Sequence, residues 1–124
     1  MVVVMHSGYP GAAGGTSPAV ATVIRMFINA GTLGAAPGRR DELVAHLTRR
    51  NDVLTEIGCR MYEVGVSDDE PDTVFVVEVW ESAAAHRDSL SLPEVQASIE
   101  HARPLLSGAF GGFRFDAIGS PLRD

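Results

Sequence analysis

The chain has 124 residues, a formal net charge of −6 and a hydrophobic fraction of 45%. That length holds one domain with a single core. The acidic balance disfavours nucleic acid or an anionic membrane as a partner, since both reward a basic patch. The single cysteine, Cys59, excludes an intrachain disulfide and fits a reducing compartment. No apolar run approaches the ~20 residues of a membrane span. Residues 1–5 are apolar but too short, and without the basic flank, for a secretion signal. A cytoplasmic protein is the expectation.

Residues 1–18 are rich in Gly, Pro, Ala and Ser and read as a flexible extension before a domain spanning 19–118 and a polar tail, 119–124. A first strand is predicted over 19–30, with Ile24, Met26 and Ile28 on one face and Arg25, Phe27 and Asn29 on the other. The glycines of 31–38 suggest a loop, but no phosphate-binding spacing is present. A helix is predicted over 39–57, since Leu43, Val44, Leu47, Leu54 and Ile57 recur at helical spacing and Arg39, Arg40, Arg49 and Arg50 fall mainly on the solvated side. Gly58 is a suitable stop. A second strand over 59–67 and an acidic turn over 68–72, which lacks a calcium-loop register, lead into a hairpin with the strand at 73–80.

That strand, Thr-Val-Phe-Val-Val-Glu-Val-Trp, is almost wholly β-branched and aromatic. Its alternation puts Val74, Val76, Glu78 and Trp80 on one face and the apolar Phe75, Val77 and Val79 on the other. One face therefore packs, and the other can wall a pocket. Ser82 is placed to cap a short helix over 83–90 that carries His86. Ser91 and Glu94, with Pro93 between them, resemble a capping box for a helix running to near Leu105 with Val95, Ile99, Ala102 and Leu106 on one face. Gly108, Gly111 and Gly112 read as a loose connection to a last strand over 113–118. The order β-α-β-β-α-α-β predicts an α+β, ferredoxin-like domain with an antiparallel four-stranded sheet. Helices cover one sheet face; the other is apolar and calls for a second copy of the chain.

The segment Glu78-Val79-Trp80-Glu81-Ser82, the run Ser-Leu-Ser-Leu-Pro-Glu-Val at 89–95 and Arg103-Pro104-Leu105-Leu106-Ser107-Gly108 resemble the antibiotic biosynthesis monooxygenase family. The chain is most similar to small bacterial members described as quinol monooxygenases, over about residues 20–118. The resemblance implies a dimeric α+β barrel, with subunit sheets packed face to face and a pocket between each sheet and its helices. It also implies oxygenation of quinols or polyketide anthrones without metal or flavin, haem cleavage, or the handling of small signalling compounds. The family's pocket tryptophan falls on Trp80. Where anthrone-oxidising relatives carry Tyr six residues later, this chain has His86; where they carry Asn four residues earlier, it has Val76. Haem-cleaving relatives place an Asn on the first strand, near Asn29, but their haem-ligating His falls where Ser89 and Leu90 stand here, which argues against haem.

Oxygen insertion without a cofactor requires a substrate that becomes an electron-rich anion in a dry pocket. His86 is the candidate base. Trp80 can stack on an aromatic ring and donate its N–H. Asn29 can hold an oxyanion, and Arg25 on the same strand face can stabilise the same charge. Phe27, Val76 and Ile99 complete the candidate substrate lining. Plainer roles stand beside these: a surface or capping His86, a turn-starting Asn29, a Trp80 that only plugs the core. Glu78 reads as structural, paired with Arg25 or solvent, and Cys59 as a buried small side chain. His101 reads as solvent-facing. No spacing of His, Cys, Asp and Glu suggests a metal site. The expected activity is a cofactor-independent monooxygenase acting with O2 on a small aromatic quinol or polyketide-like phenol. The alternative is a non-catalytic small-molecule binding or sensing protein on the same fold.

Overall fold

The computed structural model describes residues 25–123. Strand β1 spans Met26–Ala35, followed by helices α1, Arg40–Leu47, and α2, Val53–Glu56. Strands β2, Cys59–Gly65, and β3, Thr73–Trp80, form the expected hairpin. Helices α3, Ala83–Ser89, and α4, Pro93–Ala102, lead through a 3-10 turn to β4, Leu106–Ala117. The sheet order is β2-β3-β1-β4 and every pairing is antiparallel. This is the ferredoxin-like arrangement, with two helical segments in each crossover. The predicted extension at 1–18 and the first residues of the predicted domain lie outside the described residues.

Four expectations need correction. The glycine-rich stretch predicted as a loop after Asn29 continues as strand to Ala35. It is the central strand, hydrogen-bonded to β3 on one side and β4 on the other, and pairing on both edges outweighs the low strand propensity of Gly31 and Gly34. Close approach of β4 favours glycine at position 34, since a Cβ there would displace Ser107 Oγ and press on the Ala109 Cβ and carbonyl at 3.0 and 3.1 Å. Likewise, the connection predicted at 108–112 is the first half of β4, paired with β1 along its length. Gly112 supplies a φ of +134° within it. The single helix predicted over 39–57 is broken after Leu47. Thr48 Oγ1 donates to Val44 O at 2.8 Å, and Asn51 Oδ1 accepts from Val53 N at 3.1 Å, so side chains close one helix and start the next. The predicted capping box is absent too: Leu92 is the N-cap of α4, and Ser91 Oγ donates backward to Asp88 O at 2.9 Å.

The main core lies between the helices and one sheet face. It joins Leu33 and Ala35 of β1, Val74 and Val76 of β3, Leu43 and Leu47 of α1, and Val95, Ile99 and Ala102 of α4. A smaller cluster of Phe27, Cys59 and Trp80 closes the other end of this layer. The opposite face, carrying Met61, Val77, Phe113 and Phe115, is exposed, and Phe113 is 64% accessible. Among the described residues, no helix is long and apolar enough to cross a membrane.

Candidate functional site

Strand alternation and register assemble the site. Residues directly opposite one another in antiparallel strands share a face. On the helix-covered face, Tyr62 of β2, Glu78 of β3, Asn29 of β1 and Arg114 of β4 therefore form one rank across the whole sheet. The next rank is Cys59, Trp80, Phe27 and Asp116. Helix α3 brings His86 over both ranks. Only Glu81 and Ser82 separate β3 from α3. Ser82 acts as the predicted cap: its Oγ accepts from Ala85 N at 3.0 Å, and its carbonyl accepts from His86 N at 3.2 Å.

The polar side chains meet in a buried network. Asn29, Glu78 and Trp80 are 0% accessible and His86 is 1%. Trp80 Nε1 donates to Glu78 Oε1 at 2.9 Å. Asn29 Nδ2 donates to Glu78 Oε2 at 3.3 Å and lies 3.4 Å from His86 Nε2. A carboxylate oxygen only accepts, so the nitrogen of the Asn29 amide must be the atom turned to Glu78. The second hydrogen of that NH2 group then points to His86 Nε2. This assignment, made from the hydrogen-bond network, leaves Nε2 as an acceptor with its lone pair on the site side and places the ring proton on Nδ1. The imidazole is edge-on to Trp80, with ring centroids 5.5 Å apart, and tilted on Phe27 at 5.3 Å. Ser89 Oγ donates to the His86 carbonyl at 2.6 Å within α3.

The predicted residues thus separate into groups. Trp80, His86 and Asn29 converge, and Phe27 packs against them. Val76 and Ile99 are buried in the adjoining apolar core. Arg25 is exposed just before β1 and is not part of the buried network. Glu78 is the main correction: it is fully buried, and its two oxygens accept from Trp80 and Asn29. Its spacing of two from Trp80 on one strand was the available signal. Cys59 is buried as expected, and burial, with the nearby Glu78 charge second, pushes its thiol up to about 11. His101 is exposed, as expected, though its ring stacks on His46 with centroids 4.5 Å apart. Among the described residues, no group of three or more His, Cys, Asp or Glu side chains is placed to hold a metal ion.

Chemically, this is a water-shielded histidine lone pair beside an indole and an amide, both held by a carboxylate. The lone pair of His86 Nε2 is engaged by the Asn29 amide, so it can take a proton from a substrate hydroxyl once that N–H is displaced, while the carboxylate fixes the aromatic wall against rotation.

Comparison with known proteins agrees with the geometry. The family model for antibiotic biosynthesis monooxygenases matches residues 26–101, more than half of the chain. A solved structure from Chloroflexus aurantiacus J-10-fl, named for the same family, is 33% identical with a TM-score of 0.62, over 77% of this chain and 93% of that one. A protein from Shewanella oneidensis is 26% identical with a TM-score of 0.65, over 75% of this chain and 91% of its own. One from Deinococcus radiodurans, also named for the family, is 23% identical with a TM-score of 0.64, over 76% and 94% respectively. A comparison with curated proteins finds no match. By fold, by the extent of the family match and by its likeness to the Chloroflexus protein, this chain belongs to the antibiotic biosynthesis monooxygenase family.

Proposed function

We propose that the protein is a cytoplasmic, homodimeric monooxygenase that oxidises a small aromatic quinol or polyketide-like phenol with O2 and needs no prosthetic group. The observation that carries this reading is the buried contact of His86 Nε2 with the Asn29 amide beside Trp80. A substrate hydroxyl displaces the Asn29 N–H from His86 Nε2 and gives its proton to that nitrogen, and the resulting anion is electron-rich enough to reduce O2 by one electron. The radical pair recombines as a carbon–oxygen bond, and the ring hydroperoxide loses water. A hydroquinone and O2 thereby give a hydroxyquinone and water, with all four electrons drawn from the ring. Trp80 and Phe27 are buried beneath His86, so substrate entry requires that packing to open, after which their rings face the substrate plane. The apolar sheet face bearing Phe113 and Phe115 supports pairing with a second copy.

Oxygen uptake with menadiol, corrected for uncatalysed oxidation, tests the reading in wild type, His86→Ala and Trp80→Phe. Heavy-isotope O2 should place one labelled atom in the product. Loss of a general base should lower kcat about 10²- to 10⁴-fold. Binding without uptake would instead support a non-catalytic binding or sensing protein. Uptake that survives His86→Ala would remove His86 as the base.

A further inference from the structure

Trp80, Glu78, Asn29 and His86 form a chain of polar contacts in which each orientation dictates the next. The indole N–H at its head can only donate, so Glu78 Oε1, 2.9 Å away, must accept. Glu78 Oε2 accepts a hydrogen of the Asn29 amide, whose nitrogen lies 3.3 Å from it. The same nitrogen is the atom 3.4 Å from His86 Nε2. One atom of Asn29 therefore serves both neighbours, and a half-turn of the amide would exchange donor for acceptor at both contacts together. Glu78 Oε2 is what opposes the half-turn. An ionised carboxylate has no hydrogen to offer the carbonyl oxygen that a turned amide would present. Accepting hydrogens from Trp80 and Asn29 in turn favours the ionised form of Glu78. All four side chains are buried, so bulk water cannot make good a mismatched partner.

We propose that Glu78 is a positioning residue that acts through Asn29: it holds His86 as the Nδ1–H tautomer and so keeps the Nε2 lone pair able to take a proton. The same orientation has a second effect. When a substrate hydroxyl displaces Asn29 from Nε2 and loses its proton there, the group beside the new oxyanion is the Asn29 N–H and not the Asn29 carbonyl. The anion thereby gains a donor. This deepens the monooxygenase reading and rests on it only for the use made of the lone pair, because the tautomer is present without substrate.

Glu78→Gln tests this, because the same chain of contacts sets its outcome. The indole N–H still needs an acceptor, so the new carbonyl oxygen takes the place of Oε1 and the new NH2 group that of Oε2. An NH2 group facing the Asn29 nitrogen turns the Asn29 amide over. The Asn29 carbonyl oxygen then meets His86 Nε2, which must become the protonated nitrogen. Long-range proton–nitrogen NMR of the full-length protein, labelled with heavy-nitrogen histidine, reads which ring nitrogen carries the hydrogen. Spectra are taken at about pH 9, well above the ordinary imidazole value of about 6.5. His86→Gln identifies the His86 signals among the four histidines. Wild type should carry the hydrogen on Nδ1 and Glu78→Gln on Nε2, an exchange that mere loosening of the fold would not produce. Asn29→Asp, which offers Nε2 only an acceptor, should also put hydrogen on Nε2 and serves if Glu78→Gln does not fold. Hydrogen on Nε2 in the wild type, or an unchanged tautomer in either folded variant, would overturn the proposal. Oxygen uptake with menadiol separates the two readings. Tautomer exchange without uptake by wild type sinks the oxygenase and leaves this assignment standing. Uptake by wild type without tautomer exchange does the reverse. Where both hold, Glu78→Gln should lower kcat about 10²-fold or more.

Discussion

The contact between Trp80 and Glu78 should be visible as a coupling energy. Trp80→Phe removes the N–H that donates to Glu78 Oε1 at 2.9 Å and leaves that oxygen buried. A hydrogen bond to a charged group contributes about 1.5–3 kcal/mol, and trimming indole to phenyl adds about 1 kcal/mol of lost burial. Glu78→Leu alone is harder to sign. It strands two buried donors, at about 1–3 kcal/mol each, but relieves the burial of a carboxylate, which costs several kcal/mol. A double-mutant cycle cancels both ambiguities. With Leu at position 78, Trp80→Phe discards an N–H that already lacks its acceptor, so it should cost about 1 kcal/mol or less. The expected coupling is about 1.5–4 kcal/mol, measured as urea unfolding by far-UV circular dichroism at one fixed protein concentration. Additivity within about 0.5 kcal/mol would refute the view that the carboxylate holds the indole in place.

Acidification should expose a second buried histidine. His46 Nε2 lies 3.0 Å from the Ser98 carbonyl, its Nδ1 is buried without a partner, and burial, with the His101 and Arg49 charges adding to it, holds its pKa below 6.5. The unfolded chain therefore binds the proton more readily, so this stability is present above about pH 6.5 and is lost as pH falls toward the folded value. Urea midpoints should drop between about pH 7.5 and about pH 5.5, and His46→Gln should flatten that dependence; a parallel slope in the variant would contradict it. Cys59, pushed up to about 11, should react with iodoacetamide at about pH 8 only through a thiolate fraction of ~10⁻³, and reaction should accelerate sharply in urea. Equal rates in both conditions would contradict its burial. Phe113→Asp on the open sheet face should shift the sedimentation mass from dimer to monomer, and an unchanged mass would remove that face from the interface.

Much of this arrangement was legible before any coordinates. A two-residue period separates Val74, Val76, Glu78 and Trp80 from Phe75, Val77 and Val79 with no reference to neighbours, and the structure keeps that division. Local chemistry also sufficed for the Ser82 cap, which sets where His86 sits. What failed depended on partners distant in sequence. The Gly31–Ala35 stretch has little strand propensity of its own and becomes strand only between β3 and β4. Glu78 reads from sequence as structural but paired with Arg25 or solvent, because nothing nearby in sequence announces that Asn29, on another strand, will donate to it. The place of Arg114 opposite Asn29 follows from register, which a single sequence does not reveal. Arg25 erred the other way: it has the right parity, yet it stands before the strand begins.

The two-residue link between β3 and α3 makes the chain from Trp80 to His86 a ruler. One more residue between them would turn the imidazole by about 100° around the helix axis and break its contacts with both the amide and the indole. The β2–β3 turn across the acidic residues 68–72 has no such duty and touches none of these groups. Length variation among functional homologues should therefore gather in that turn and be missing from residues 81–85. A scan of single-residue insertions, scored for activity and for folding separately, would trace the boundary between the two.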